Sequence, residues 1–311
     1  MNRKVKGYVL GAVAAATYGM NPLFALPLYA DGMGTDSVLF FRYSLSLPFL
    51  AMMLVMRGRD FKINLKEAGE LSVMGILLAV SSLALFLSYS YMDAGIASTM
   101  LFVYPIMVAV LMTVVYKEKL TLQTAVCIIL ALSGIALLYQ NSDGTTLSIT
   151  GVLLVFLSSL SYAIYIVGVN RPRLARMATL KVTFYVLMFG LTVYIVRLAM
   201  AGTLDLPTKW YLWFNVLALA IFPTCISFLC TTSAIQCIGA TPTAILGALE
   251  PVTAIFFGVT VFGEVLTMRE AFGVVLIILA VSFVVAGGRL TTLFVRFRKL
   301  FPRLNKWHRQ R

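Results

Sequence analysis

Apolar runs of about twenty residues recur along the whole chain, and this feature constrains its fold more than any other. A helix of about twenty apolar residues is long enough to cross the hydrocarbon core of a bilayer. Only 12% of the residues are charged, against about a quarter in soluble domains. The sequence therefore predicts an all-α integral membrane protein with ten transmembrane helices, near residues 5–28, 36–56, 70–92, 96–116, 122–140, 148–168, 179–200, 211–236, 241–262 and 268–288.

One stretch of the chain occurs twice. Residues 94–121 and 240–267 align at a shift of 146, and each carries a central proline, Pro105 or Pro251, followed thirteen residues later by Glu-x-Leu-Thr. A fixed period with matched landmarks indicates an internal repeat. Because each copy has five spans, the second copy is predicted to be inverted in the membrane. Repeats with proline-interrupted spans are typical of transporters, whose binding site lies between the repeats.

The predicted organisation has three parts. The first five-helix repeat covers residues 1–146 and the second, inverted repeat covers residues 147–288. Residues 289–311 form a basic tail in which apolar and cationic side chains alternate, as in amphipathic segments that lie on anionic lipid.

The positive charges of the chain are distributed unevenly. Of its 25 Lys and Arg residues, 21 fall at the N-terminus, in alternate loops and in the tail, whereas the other loops carry mainly acids. This is the positive-inside asymmetry of membrane proteins, and it predicts cytoplasmic termini in a multi-pass protein of the plasma or inner membrane. The net charge of +13 thus indicates topology and lipid contact, and nucleic-acid binding is not expected.

Glu250 is the sharpest candidate for a functional residue. It lies about ten residues from either end of predicted span nine, and its equivalent in the first repeat is Tyr104. Removal from water disfavours a carboxylate, so Glu250 would be able to take up a proton. An ionisable residue within a membrane is by default a functional-site hypothesis. The alternative is a structural Glu that is neutral or paired with Arg.

Arg42, in predicted span two, is the second charged residue of interest. Such a residue is costly in a span and normally faces the bundle interior or water. Two interpretations stay open: Arg42 extends to the outer interface, or it forms an ion pair, either structural or with substrate.

Polar and aromatic side chains in other spans complete a candidate cavity. Tyr18 and Asn21 share one face of span one, and Tyr162 and Tyr165 occupy the matching positions of span six. Stripes of Ser, Thr and Tyr in spans three and eight predict either a pathway lining or the helix contacts that such side chains make in membranes. The candidate substrate-binding residues are Tyr18, Asn21, Tyr91, Tyr104, Tyr162, Tyr165, Thr231 and Glu250.

The doubled unit resembles the EamA family of the drug/metabolite transporter superfamily, over about residues 7–288. Arg42 in FFRYS resembles the second-span Arg of that family, and Glu250-Pro251 resembles the Glu-Pro of its second repeat. The resemblance implies inverted repeats around a central cavity and export of small metabolites such as amino acids, often with proton coupling. The interior lacks the Lys and Arg pair of phosphate-sugar translocators, which disfavours phosphorylated cargo.

The sequence thus predicts a secondary active transporter, an exporter that works by alternating access, for a small zwitterionic or neutral amphipathic metabolite. The alternative is a non-transporting membrane scaffold or sensor, which would require a fully paired Glu250 and a closed cavity. An enzyme is not expected, because no nucleophile–base pair is visible, and no cofactor or metal site is expected with a single His. The expected partners are a small-molecule substrate and membrane lipids. Proton coupling or uniport, transport direction and oligomeric state stay open.

Overall fold

The computed structural model describes residues 2–92, 94–117, 121–138, 148–201 and 203–262, with short pieces between 268 and 283. These residues form fourteen α-helices and one π-helix, and no strand occurs among them. The helices are α1 (Arg3–Tyr18), α2 (Asn21–Ala30), α3 (Thr35–Met56), α4 (Leu65–Ser88), α5 (Ala94–Leu101), α6 (Tyr104–Tyr116), α7 (Leu122–Leu138), α8 (Ile149–Val169), α9 (Pro172–Arg176), α10 (Thr179–Ala201), α11 (Leu212–Ala220), the π-helix (Ile221–Ile226), α12 (Ser227–Ile238), α13 (Ala240–Leu246) and α14 (Leu249–Phe262).

Six of the predicted spans are confirmed as helices long and apolar enough to cross a membrane. They are spans one, two, three, six, seven and eight. The third begins at Leu65, five residues before the predicted start, because the backbone N–H of Asn64 donates to Glu67 Oε2 at 2.8 Å and caps the helix. It also ends earlier, at Ser88. The ten-helix inverted arrangement stays a prediction.

Predicted spans four and nine are interrupted at matching places. α5 gives way to α6 across residues 102–103, and α13 gives way to α14 across residues 247–248. Both breaks lie within the turn that precedes the repeat prolines, since one residue separates the first break from Pro105 and two residues separate the second from Pro251. A proline lacks a backbone donor and its ring clashes with the preceding turn, so a break at this position is its expected effect.

Parts of the predicted pattern lie outside the described residues. They include the tail at 289–311, about half of span ten, the Glu and Leu of both Glu-x-Leu-Thr signatures, and the Thr of the second.

Apolar side chains cover the outside of the described helices, and small polar side chains lie between them. Phe156 and Phe256 are more than half exposed, as lipid-facing residues can be. In contrast, Ser81 and Ser158 are buried between α4 and α8, where Ser158 Oγ donates to the Ser81 carbonyl at 2.8 Å. This is the helix contact that Ser makes in membrane proteins.

Glycines allow α1 to pack closely on its neighbours. A Cβ added at Gly7 would lie 2.6 Å from Ile238 of α12, and one added at Gly11 would lie 2.4 Å from Leu246 of α13. The α4–α8 pair has a similar contact, since a Cβ at Gly168 would lie 2.2 Å from the sulfur of Met74. Span one therefore packs on span eight as span six packs on span three.

Hydrogen bonds and ion pairs link the two halves of the chain at both ends of the bundle. At one end, Arg3 Nη2 donates to the Gln236 carbonyl at 2.7 Å. We call this end the N-terminal face, which is formed by Arg3, Asp60, Lys181 and Gln236. At the other end, the Thr208 N–H donates to Asp31 Oδ2 at 2.8 Å, and Arg197 Nε donates to Asp36 Oδ1 at 2.6 Å. We call this end the opposite face, which is formed by Asp31, Asp36, Arg197 and Thr208.

Candidate functional site

Glu250 lies at the break in span nine, in the first turn of α14. Its side chain is buried, with 9% of the residue surface exposed. Span one is also interrupted, at residues 19–20 between α1 and α2. This break contacts Glu250, because a Cβ added at Gly19 would lie 2.4 Å from the Glu250 carbonyl oxygen. Only a residue without a side chain permits this approach of two backbones. The interruptions of spans one and nine are therefore in direct contact.

Tyr104, the residue that the repeat matches with Glu250, is also its partner in space. Tyr104 Oη donates to Glu250 Oε1 at 3.5 Å, which is long for a hydrogen bond. The same hydroxyl packs on Gly247, where an added Cβ would lie 1.6 Å from it. None of the ion pairs among the described residues includes Glu250. Within the described part of the chain, the carboxyl therefore has one weak, neutral partner and is not fully paired.

Four of the predicted tyrosines form one aromatic cluster beside this carboxyl. The ring of Tyr162 lies at its centre, 6.1 Å from Tyr18, 4.9 Å from Tyr104 and 6.0 Å from Tyr165. Phe228 joins the cluster at 5.9 Å from Tyr18 and was not predicted from the sequence. The cluster brings spans one, four, six and eight together next to span nine.

Two small cavities border Glu250 on different sides. The first lies toward the opposite face, and we call it the opposite-side cavity. It has a volume of about 20 Å³ and is lined by Glu250 together with Tyr18, Gly19, Asn21, Pro22, Leu85, Tyr89, Ser98 and Leu101. The N-terminal-side cavity, of about 10 Å³, is lined by Glu250 together with Gly11, Ala14, Ala15, Tyr104, Tyr162, Ile166, Thr231, Thr243 and Gly247. A single water needs about 10–15 Å³. The structure is thus closed around Glu250, with room for about one water on each side.

The predicted site residues divide into two groups. Asn21 lines the opposite-side cavity and Thr231 lines the N-terminal-side cavity, so both join the tyrosine cluster and Glu250. Tyr91 does not: it is 51% exposed and lies beyond the end of α4, against Gly151. The physical reason is the helix boundary, since α4 ends at Ser88 and Tyr91 leaves the helical face on which it was predicted.

Arg42 is fully buried, so it does not extend to the interface. Its Nε donates to Thr224 Oγ1 at 2.7 Å and its Nη2 to the Pro223 carbonyl at 3.2 Å. The guanidinium also lies 5.3–5.8 Å from the ring centres of three aromatic residues, Tyr18, Phe86 and Phe228. Among the described residues it forms no ion pair, and it does not pair with Glu250.

The acceptors that hold Arg42 were not predicted as its partners, although Thr224 belongs to the predicted stripe of Ser and Thr in span eight. They belong to the π-helix, in which Thr224 Oγ1 donates to the Leu219 carbonyl at 2.8 Å. The signal for this irregular turn is Pro223, which removes one backbone donor within a long helix and leaves carbonyls free to accept other donors.

Comparison with known proteins identifies the kind of protein that carries this site. The sequence pattern of the EamA-like transporter family matches residues 5–140 and 149–286. The chain belongs to the EamA-like transporter family.

Relatives of this family member have similar lengths. An uncharacterized transporter of Archaeoglobus fulgidus is 26% identical over 243 residues, which cover 78% of this chain and 82% of the relative. The uncharacterized transporter YyaM of Bacillus subtilis is 26% identical over 268 residues, which cover 83% and 87%. A solved structure described only as the crystal structure of a protein superimposes with a TM-score of 0.76 at 16% identity, covering 90% of this chain and 96% of that one. The last comparison supports the fold alone.

Family membership and the apolar helices establish a multi-pass membrane protein and support a transporter rather than an enzyme. Among the described residues, no group of His, Cys, Asp or Glu is arranged to hold a metal ion. The chemistry at the centre of the bundle is therefore that of one carboxyl, one guanidinium and an aromatic wall.

Proposed function

We propose that this family member is a secondary active transporter that exports small metabolites such as amino acids by alternating access, with Glu250 as the proton-coupling residue. The observation that carries the proposal is the position of Glu250 between two cavities, one toward each face of the bundle. A carboxyl at such a position can exchange a proton with one side and then with the other. The five-helix repeats are inverted, and the N-terminal face is cytoplasmic.

The other titratable groups around Glu250 support its role. Those that line the two cavities are Tyr18, Tyr89, Tyr104 and Tyr162, whose ordinary pKa is about 10. A group with that pKa is neutral at physiological pH. Among the residues that line the two cavities, Glu250 is the one carboxyl. Its partner Tyr104 can donate to Glu250 whether or not the carboxyl is protonated.

The breaks in spans one, four and nine support a mechanism in which half-helices move. They occur at Gly19, at residues 102–103 and at Gly247, next to the tyrosine cluster. Discontinuous helices at the centre of the membrane are typical of transporters that alternate access about a fixed site. The aromatic wall suits apolar bodies and ammonium groups alike.

The test is efflux of mixed labelled amino acids from proteoliposomes, with and without an imposed pH gradient. We expect the gradient to accelerate efflux for the wild-type protein and to have no effect for Glu250→Gln, which keeps the shape but cannot ionise. Gradient-independent efflux by both proteins would leave the transporter and remove the proton role.

The alternative hypothesis, a non-transporting membrane scaffold or sensor, has one observation in its favour, which is the small size of both cavities. It requires a bundle that never opens. The absence of efflux for every labelled amino acid, in protein that remains folded, would favour this reading over the transporter.

A further inference from the structure

Arg42 carries a buried charge with no counter-ion among the described residues. It is 0% exposed, and both of its hydrogen-bond acceptors, Thr224 Oγ1 and the Pro223 carbonyl, are neutral. A guanidinium does not deprotonate in a protein, and an unpaired buried charge is unfavourable unless another group compensates it. The surroundings of Arg42 are therefore incomplete without an anion.

One corner of the guanidinium is free to bind such an anion. Nε and Nη2 donate to the π-helix, whereas Nη1 is buried and has no hydrogen-bond partner among the described residues. The neighbouring groups are the rings of Tyr18, Phe86 and Phe228, which stabilise the cation but accept no conventional hydrogen bond with their faces.

Asn21 is a second buried polar group that lacks hydrogen-bond partners among the described residues. It is 2% exposed, and neither Nδ2 nor Oδ1 has a hydrogen-bond partner in the part of the chain that the structure describes. It lines the opposite-side cavity together with Tyr18, the residue whose ring Arg42 contacts. Asn21 also begins α2, directly after the break in span one, and helix N-termini favour anions. Unpaired buried amides are rare in folded proteins, so this one also indicates a missing ligand.

We propose that Arg42 Nη1 and Asn21 Nδ2 bind the carboxylate of the transported substrate. This inference rests on the proposed function and adds to it a chemical requirement: the cargo must carry a carboxylate. The anion lies between Glu250 and the opposite face. Glu250 itself is then free to bind an ammonium group or a proton. Because the cavity has room for about one water, the substrate binds after α2 moves about the break at Gly19.

The π-helix gives this site a means of responding to the anion. Arg42 is held at the Pro223 carbonyl by a 3.2 Å hydrogen bond, and Thr224 links the same guanidinium to α11 through Leu219. An anion bound at Nη1 draws the guanidinium toward itself. The hydrogen bonds from Arg42 to the π-helix are thereby weakened. Binding in span one is thereby connected to the irregular turn of span eight.

The experiment compares each amino acid with its own amide, which has the same side chain and amine but no carboxylate. Both are loaded as labelled probes into proteoliposomes that contain the full chain. We expect wild-type protein to transport at least one amino acid about tenfold faster than its amide, the ratio that about 1.4 kcal/mol gives. Arg42→Gln should remove the preference, so that the acid and its amide are transported at equal rates.

Two further variants sharpen the result. Arg42→Lys keeps the charge and should retain part of the preference for the acid. Arg173→Gln makes the same substitution at a half-exposed Arg that pairs with Glu70, and should leave the preference intact.

Several outcomes would overturn the carboxylate site. One is equal transport of acid and amide by the wild-type protein, which can be measured even if Arg42→Gln does not fold. Another is a preference that survives in folded Arg42→Gln. A third is amide transport that requires chloride, which would assign Arg42 to an inorganic anion. In each of these cases transport itself remains, whereas absence of all transport would remove the proposed function as well.

Discussion

Replacing Gly247 by alanine tests the contact between the two halves of the site. The backbone at Gly247 has φ −54° and ψ −20°, which any residue adopts. An added Cβ, however, would lie 1.6 Å from Tyr104 Oη and 2.9 Å from the Ala244 carbonyl oxygen. No stable structure tolerates the first distance, so Tyr104 must move away from Glu250.

The magnitude follows from two opposing effects. Overpacking of a buried contact costs about 1–3 kcal/mol, whereas Gly→Ala within a helix otherwise stabilises by about 0.5–1 kcal/mol. Gly69→Ala in α4 isolates the second effect, because no atom lies within 4 Å of a Cβ at that position. We therefore expect Gly247→Ala to lower the apparent Tm and Gly69→Ala to raise it slightly. The measurement is thermal unfolding of purified protein in detergent, at one heating rate.

Tyr104→Phe supplies the internal check. It removes the hydroxyl that is 1.6 Å from the added Cβ, although Tyr104 Cζ remains at 2.9 Å. Gly247→Ala should therefore lower Tm less in the Tyr104→Phe protein than in the wild type, as expected for residues in contact. The reasoning is refuted if Gly247→Ala behaves like Gly69→Ala, or if its effect is the same in both backgrounds.

Two smaller predictions concern the helix contacts and the opposite face. Ser81→Ala removes the hydrogen bond between the two Ser hydroxyls, whereas the Ser81 backbone carbonyl still accepts from Ser158 Oγ. The substitution should destabilise the protein by about 0.6 kcal/mol, with no added effect in a Ser158→Ala background; additive effects would contradict it. Hydrogen bonds from Thr208 hold the pKa of the Asp31 carboxyl below its usual value of 3.8. A carboxyl whose pKa is lowered by folding stabilises the folded state at pH values above its ordinary pKa, and this stabilisation is lost as the pH falls. The Tm difference between wild type and Asp31→Asn should therefore be constant from about pH 5 to 8 and shrink below about pH 4. A difference that grows on acidification would contradict this sign.

Much of the fold could be predicted from the sequence because the bilayer fixes the length of a span. Apolar length predicted the six long helices, and the repeat prolines predicted the interruptions of spans four and nine. The shift of 146 residues also matched Tyr104 with Glu250, which are hydrogen-bond partners in the structure. These features depend on local chemistry or on the repeat, and both can be read from a sequence.

The remaining features depend on contacts between distant segments. The partners of Arg42 could not be predicted, since a regular helix through Pro223 would not present the carbonyl and hydroxyl that the π-helix offers. Tyr91 was placed in the site because span three was predicted to continue to residue 92, whereas the capped helix ends at Ser88. The size of the cavities depends on how side chains from several spans interlock, which periodicity does not determine.

The most direct test of the account is substrate-driven proton movement across a membrane that contains only this protein. Proteoliposomes would enclose a pH-sensitive dye, and a transported amino acid would be added on one side without any imposed gradient. The account predicts a change in internal pH for the wild-type protein and none for Glu250→Gln. A proton flux of equal size in both proteins would contradict the assignment of Glu250 as the carrier of the coupled proton.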